Sequence, residues 1–403
     1  MMICEKQLCT GCLACFNICK TRAIHPAENE RGFIYPAIDA TKCVNCNLCR
    51  KICPANSLQE GFTHKRLYAA LAKNDQERAQ STSGGIFPCL AKNVLSKGGY
   101  VYGAILDDQL TVRHVEAHSV DEMNRMRNSK YVQSDIGLCY QLAESRLKAE
   151  SPVLFSGTPC QIAGLRNYLG KDYPNLLTID ILCHGVPSPG LFRKYVQYEE
   201  SVAKSPMKTM AFRSKTIGWK SSLCIREFTS GQVAKDGDTF VPGFLDSLYL
   251  RDSCHNCQYA SEKRMGDITL GDFWGYKESA PEYIEDDDKG ISLVIINTDK
   301  GQAAYDKIQQ YIASAPRIMA DAKKCNEVLS HPEPKSQNAE SFWADAKHMD
   351  WAGLKAKYIT PQSYKDPMNQ ELRSYYNIPY TKRHRRHVLH IYKKKILQKL
   401  HLR

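Results

Sequence analysis

The chain of 403 residues has no run of 18 apolar residues, the length a membrane-spanning helix needs. It has no G-x-G-x-x-G fingerprint, so a Rossmann nicotinamide site has no support in the sequence. No secretory signal is visible at Met1. The expectation is therefore a reducing, cytoplasmic setting rather than a secreted disulfide scaffold, despite 17 cysteines. Acidic residues are absent from Arg373 onward, where ten Lys or Arg residues gather. Of the net charge of +12, only +2 remains for the first 372 residues. No nucleic-acid-reading module accompanies that basic tail, so nucleic acid is not expected as a partner. An apolar fraction of 43% is ordinary and predicts packed cores in two or three domains.

What the chain does have is cysteine in an ordered pattern. Cys9, Cys12, Cys15 and Cys19 are spaced C-x2-C-x2-C-x3-C, and Cys43, Cys46, Cys49 and Cys53 repeat the spacing 34 residues later. This is the ligand run of a bacterial-type two-cluster ferredoxin, in which the fourth cysteine of each run crosses to the other cluster. One 4Fe–4S cluster is then assigned to Cys9, Cys12, Cys15 and Cys53, and the other to Cys43, Cys46, Cys49 and Cys19. Thr10, Gly11, Asn45 and Asn47 keep the loops small or polar, leaving backbone N–H groups for cluster sulfur. Pro54 follows the second run, whereas the first has Lys20 in that place. Zinc sites use separated C-x2-C pairs rather than three cysteines at this interval. Residues 1–60 are read as a ferredoxin-like unit that moves single electrons.

Beyond residue 65 the texture becomes that of an α/β body. Strands are predicted at Arg66–Leu71, Tyr100–Ile105, Pro152–Phe155, Leu176–Leu182, Asp267–Leu270 and Ile291–Ile296, with two more in 206–229. Helices are predicted up to Leu95, near 119–127, 136–149 and 160–169, and over 299–314. Residues 330–378 read as an irregular extension. The fold class is thus α+β overall: a ferredoxin-like unit (1–60), an α/β catalytic domain (65–325) and an irregular extension with a basic tail (326–403). Glycine- or aspartate-rich turns end several strands: Ser81–Gly85, Gly157–Gln161, Cys183–Gly185 and Gly271–Gly275. Ligands gather at strand C-termini in such folds, so chemistry is expected at these turns.

Taken in order, Ser83-Gly84-Gly85, Ser129-Lys130-Tyr131, Gly157-Thr158-Pro159-Cys160, Cys183-His184-Gly185, Cys254-x-x-Cys257 and Gly271-Asp272-x-Trp274-Gly275 resemble the beta subunit of coenzyme F420-reducing hydrogenase and related dehydrogenases. The resemblance spans about 65–315. It implies FAD and a third 4Fe–4S cluster, ligated by Cys160, Cys183, Cys254 and Cys257. Buried core thiols or a zinc site are the alternatives for those four. Ser83, Gly84 and Gly85 can cradle a pyrophosphate at a helix N-terminus, or can be a plain N-cap with flexible glycines. Lys130 and Arg127 can pair with a phosphate or a flavin carbonyl, or be exposed cations. Gly157, Thr158, Asp272 and Trp274 complete the candidate flavin set, with Trp274 equally suited to the core. His184 can donate to cluster sulfur or substrate, or be structural. Cys4, Cys89, Cys139, Cys224 and Cys325 fit no ligand pattern and are read as small hydrophobes. The sequence does not name a catalytic acid or base.

The tail, Lys382–His387 and Lys393–Lys395 around Leu389, Tyr392, Ile396 and Leu400, has helical spacing. It suits an anionic membrane surface at the inner face, an acidic partner, or a solvated tail. The resulting expectation is a cytoplasmic, flavin-dependent iron–sulfur oxidoreductase. It relays electrons between a redox partner protein, ferredoxin-like or another subunit, and a small organic or deazaflavin substrate. The rival is a non-catalytic electron carrier of a larger complex.

Overall fold

Two cysteine-bearing turns open the computed structural model, which describes residues 2–57, 59–220, 223–236, 240–276, 284 and 286–359. Each cysteine run feeds a short helix, Ala14–Ile18 or Leu48–Lys51, entered through a left-handed residue, Leu13 or Asn47. Between the runs an antiparallel hairpin joins β1 (Ile24–Glu28) to β2 (Ile34–Ile38). The Asn29 side-chain oxygen accepts from the amides of Arg31 and Phe33, an Asx-type closure that fixes this turn.

The body follows with β3 (Arg66–Ala72), β4 (Tyr100–Leu106), β5 (Val112–Ala117), β6 (Val153–Gly157), β7 (Leu176–Ile181), β8 (Met207–Ala211), β9 (Cys224–Phe228), β10 (Val233–Asp236), β11 (Ile268–Asp272), β12 (Ser292–Ile296) and β13 (Ile312–Arg317). Eight of these form one mixed sheet in the order β13-β3-β12-β11-β7-β6-β4-β5, and β10-β9-β8 form a second. The centre, β4-β6-β7-β11, is parallel. Its strands are covered on both faces, which is why they read as apolar runs. Val153 and Phe155 of β6 pack towards helices Cys139–Lys148 and Pro159–Leu169, while Leu154 between them packs towards helix Ile86–Leu95.

This topology places the site. β12 runs antiparallel to both β11 and β3, so β3 points the same way as the parallel set. The turns after β3, β6, β7 and β11 therefore open on one edge of the sheet. These are the four turns singled out in the sequence.

Two expectations are corrected. The helix predicted over 299–314 ends at Asp306, and Ile312–Arg317 instead becomes β13. The free edge of β3 takes these residues as a ladder partner, with Ile312 and Ala315 turned inward and Pro316 tolerated on the outermost strand. The extension is not irregular over its described part. Helices Ala339–Asp345 and Trp351–Tyr358 bury Phe342, Trp343, Trp351 and Leu354 against Phe33, Tyr195 and Tyr249. Residues 360–403, including the basic tail, lie outside the described residues.

The ferredoxin unit is seated by a glycine pair. Gly32 of the hairpin and Gly190, at the start of helix Pro189–Ala203, meet backbone to backbone, and Gly190 N donates to Gly32 O at 3.1 Å. A Cβ built on Gly190 would lie 2.7 Å from the Gly32 Cα.

One buried histidine makes the body sensitive to acid. His114 on β5 donates from Nε2 to the Ser156 carbonyl and accepts at Nδ1 from Ser134 Oγ, each at 3.0 Å. Burial pushes its pKa down to about 4. A folded pKa below the ordinary value of about 6.5 means that neutral His114 contributes its full stability above pH ~6.5 and loses it as pH falls towards 4. The loss amounts to about 3 kcal/mol. His114→Asn should remove this slope. Urea unfolding of metal-free wild type and variant, between pH 6.5 and 4, should show their stability difference shrinking by about that amount. A constant difference would count against it.

Candidate functional site

The two N-terminal cysteine sets are brought together in the crossed arrangement. Cys19, from the first run, joins Cys43, Cys46 and Cys49 round a cavity of about 380 Å³ that includes its open side. Cys53, from the second run, packs with Cys15, Ile3 and Ile24 in a small apolar cluster. Its charge is felt by Cys12 and Cys15, which also feel Cys9. Burial pushes the Cys12 thiol up to about 12 and Cys15 well above its ordinary value. Such thiols ionise only when a cation supplies the compensating charge, as bound iron does. Cys4, read from sequence as an inert hydrophobe, hydrogen-bonds to the sulfurs of Cys9 and Cys53. The Cys4 thiol is held protonated, and its bonds pull Cys9 to about 6 and Cys53 to about 7. Only tertiary folding brings Cys4 there, so spacing alone could not reveal it.

A second cysteine cavity, about 550 Å³ with its mouth, lies at the C-terminal edge of the large sheet. Cys160, Cys183, Cys254 and Cys257 all line it, although they come from three separate segments. Cys160 opens helix Pro159–Leu169, Cys183 follows β7, and Cys254 ends a single turn at Asp252–Cys254. Burial raises all four thiols, Cys254 to about 12 and Cys257 to about 11. The Thr158 hydroxyl lies 3.1 Å from the Cys160 sulfur, which places Thr158 at this cavity. His184 bonds through Nδ1 to Glu333 and through Nε2 to the Phe244 carbonyl, both at 3.1 Å. Among the described residues no three His, Cys, Asp or Glu side chains converge as ligands of one metal ion. The four thiols surround a space instead of meeting at a point, as the short Zn–S bonds of a zinc site would demand.

This cavity abuts the N-terminal unit. Thr10, between Cys9 and Cys12, lines it, and its hydroxyl bonds to Cys160. Helix Pro159–Leu169 packs directly on Cys12. A Cβ on Gly164 would lie 3.0 Å from both Cβ and Sγ of Cys12, so this helix can approach only with glycine there.

The remaining candidate residues form a second neighbourhood on the same edge. The Ser83 hydroxyl lies 3.1 Å from the Ile291 carbonyl, and Ser292 on β12 pairs with Asp272 on β11. The Gly84 amide is already committed to Ser292 Oγ, and Gly85 is the left-handed N-cap of helix Ile86–Leu95. The Ser129 amide donates to Thr82 Oγ1, so the two sequence motifs touch. Lys130 Nζ donates to the carbonyls of Arg125 and Arg127, and burial pulls its ammonium down to about 7. Arg127 is ion-paired with Glu77. Gly157 stands beside His114 and Gln161, towards the cysteine cavity.

Asp272 and Trp274 come with partners that the sequence did not flag. Arg213 pairs with Asp272 at 2.5 Å and lies 4.7 Å over the Trp274 ring. Trp219 donates to Asp272 at 2.8 Å and stacks on Trp274 at 4.8 Å. Lys215 caps the carbonyls of Arg78, Ser83 and Lys289, and burial lowers it to about 7. All three lie in the 206–229 region, whose strand pattern gave no hint of a site. The neighbourhoods are linked by aromatics: His184 meets Phe244 edge-on at 4.8 Å, and Phe244 stacks on Tyr131 at 4.6 Å.

Comparison with known proteins identifies both halves. The chain joins a 4Fe-4S dicluster domain, matched over residues 8–57, to a body of the coenzyme F420 hydrogenase/dehydrogenase beta subunit family, whose C-terminal model matches residues 151–316. An uncharacterised ferredoxin of Methanocaldococcus jannaschii is 32% identical over 57 residues, 14% of this chain and 73% of that protein. A solved structure of the F420-reducing NiFe hydrogenase complex of Methanosarcina barkeri, derivatised with xenon, overlaps with a TM-score of 0.45 and 18% identity. The overlap covers 70% of this chain and 92% of the other. The chain is thus an iron–sulfur, electron-transfer protein related to the F420 hydrogenase beta subunit. Among the described residues no helix is long and apolar enough to cross a membrane.

The crossed arrangement predicts an asymmetric result. Cys19→Ala should cost about four irons per chain from the site of Cys43, Cys46 and Cys49, although Cys19 belongs to the other run. Iron analysis combined with electron paramagnetic resonance tests this. If the signal of the Cys9, Cys12 and Cys15 site vanished instead, the arrangement would be wrong.

Proposed function

We propose that the chain is an iron–sulfur flavoprotein oxidoreductase of the cytoplasm, carrying electrons between a redox partner protein and an organic or deazaflavin substrate. The contact that carries the proposal is that of Thr10 and Cys12 with Cys160 and its helix, which leaves the two cysteine cavities sharing a wall. Cys160, Cys183, Cys254 and Cys257 would hold a third 4Fe–4S cluster. A donor set of four buried thiols round a cavity fits it. The turn at Ser83, Lys130, and the wall formed by Asp272 and Trp274 would hold FAD. The clusters supply one-electron steps and the flavin two-electron exchange when bound.

The chain's own residues supply position and charge. The Arg213–Asp272 pair fixes the stacked Trp219 and Trp274 as an aromatic wall. Lys130 and Lys215 place two amines beside the Ser83 turn, and an anionic group bound there would raise both towards full charge. Phe244 and Tyr131 fill the space between Cys183 and that wall, keeping water from the path.

Anaerobic purification with iron, sulfide and flavin counted per chain tests the reading. About twelve irons and one FAD are expected. About eight irons with zinc would remove the third cluster, and clusters without flavin would make the chain a carrier. Arg213→Met should weaken flavin retention about tenfold, as the loss of a charged hydrogen bond does, while leaving the iron count unchanged. Retention equal to wild type would remove the Asp272 wall from the flavin site.

A further inference from the structure

Arg226, Arg251 and Arg264 are among the largest fully buried side chains. A buried guanidinium is costly unless an opposite charge accompanies it. Arg226 pairs with Glu199 at 2.8 Å and also with Asp236. Arg264 reaches Asp180 at 3.5 Å. Arg251 makes no ion pair among the described residues. Its Nε donates to Cys9 O at 2.8 Å, its Nη1 to Ile34 O at 3.0 Å, and its Nη2 points at the Cys9 sulfur at 3.7 Å. Gln133 Oε1 accepts at 3.3 Å, and the guanidinium stacks 3.8 Å over the Tyr35 ring. What it lacks is a carboxylate, and what it faces is sulfur.

Its place along the chain gives it a second neighbour. Arg251 N bonds to Val186 O, which ties it to the loop after Cys183, and Cys254 N bonds to Arg251 O at 2.9 Å. The positive charge favours thiolate at Cys160 and Cys254 as well as at Cys9. The backbone of Arg251 thus belongs to the body, while its side chain is anchored in the ferredoxin unit.

We infer that Arg251 is a positioning residue and the shared countercharge of two cluster sites, that of Cys9, Cys12, Cys15 and Cys53 and that of Cys160, Cys183, Cys254 and Cys257. A fixed cation between them favours the more negative, electron-loaded state of each, levelling the path across the wall they share. The inference rests on the three-cluster reading given above.

The experiment uses the full chain, purified without oxygen, as wild type, Arg251→Gln and Arg251→Lys. Iron is counted, and each cluster's reduction is followed by paramagnetic resonance during a potentiometric titration. The signal of the Cys19, Cys43, Cys46 and Cys49 site is identified by its loss in Cys19→Ala. In Arg251→Gln the other two sites should become at least tenfold harder to reduce, a shift of 59 mV to lower potential for one electron. The Cys19 site should stay in place. Lysine keeps the charge but not the planar fork, so Arg251→Lys should remain within about threefold of wild type. A glutamine chain with full iron and unmoved potentials overturns the inference. So does a lysine chain displaced as far as the glutamine one. If the glutamine chain does not retain iron, the lysine chain decides: wild-type potentials support the countercharge and a tenfold displacement overturns it. A wild type with about eight irons removes the third cluster itself, and Arg251 is then judged at the Cys9 site alone.

Discussion

The packing of helix Pro159–Leu169 on Cys12 is the constraint on which the rest of the arrangement depends. Gly164 lets the helix reach the cysteine loop, and the same helix begins at Cys160. One rigid element thus belongs to both cysteine cavities and fixes their separation. Were Gly164 to carry a side chain, the N-terminal unit would stand off from the body, and the cavities would cease to share a wall. Electron transfer needs close approach, and here closeness comes from a missing Cβ.

Around that contact the molecule sorts its charges economically. Most buried cations are matched by carboxylates: Arg264 by Asp180, Arg226 by Glu199, Arg213 by Asp272. The amines of Lys130 and Lys215 are held by backbone carbonyls and weakened by desolvation. Desolvation likewise keeps the four thiols of the sheet-edge cavity neutral. Both tendencies leave the sites wanting partners of opposite character, cationic metal for the thiols and anionic groups for the amines. The body is thus poised electrostatically for guests whose charges differ between its two neighbourhoods.

Local signals were legible in the sequence, and relations between distant segments were not. The cysteine runs announce themselves because their ligands lie on one loop. The parallel strands do so because burial on both faces makes them uniformly apolar, as in Leu176–Ile181. Ile312–Arg317 was misread because nothing in its own residues says that the edge of β3 is vacant. Trp351 and Phe342 sit in a stretch rich in Pro and Asn, where composition argued for irregularity, yet their burial holds two helices. Arg251, Arg213 and Trp219 belong to no motif. Each owes its role to what folding places opposite it, and no spacing rule reports that.

The two kinds of cysteine site also differ in when they can come into being. The N-terminal ligands lie within 45 residues of one another, so a short stretch of emerging chain already contains them all. The sheet-edge cavity needs Cys160, Cys183, Cys254 and Cys257 on segments that β7 and β11 align, with Thr10 from the other end of the chain as part of its wall. Loop closure over such distances waits for the sheet. Maturation therefore has a built-in sequence. The first metal centres can be loaded while the ribosome is still at work, and the last must be delivered to a nearly finished protein through the mouth of its cavity.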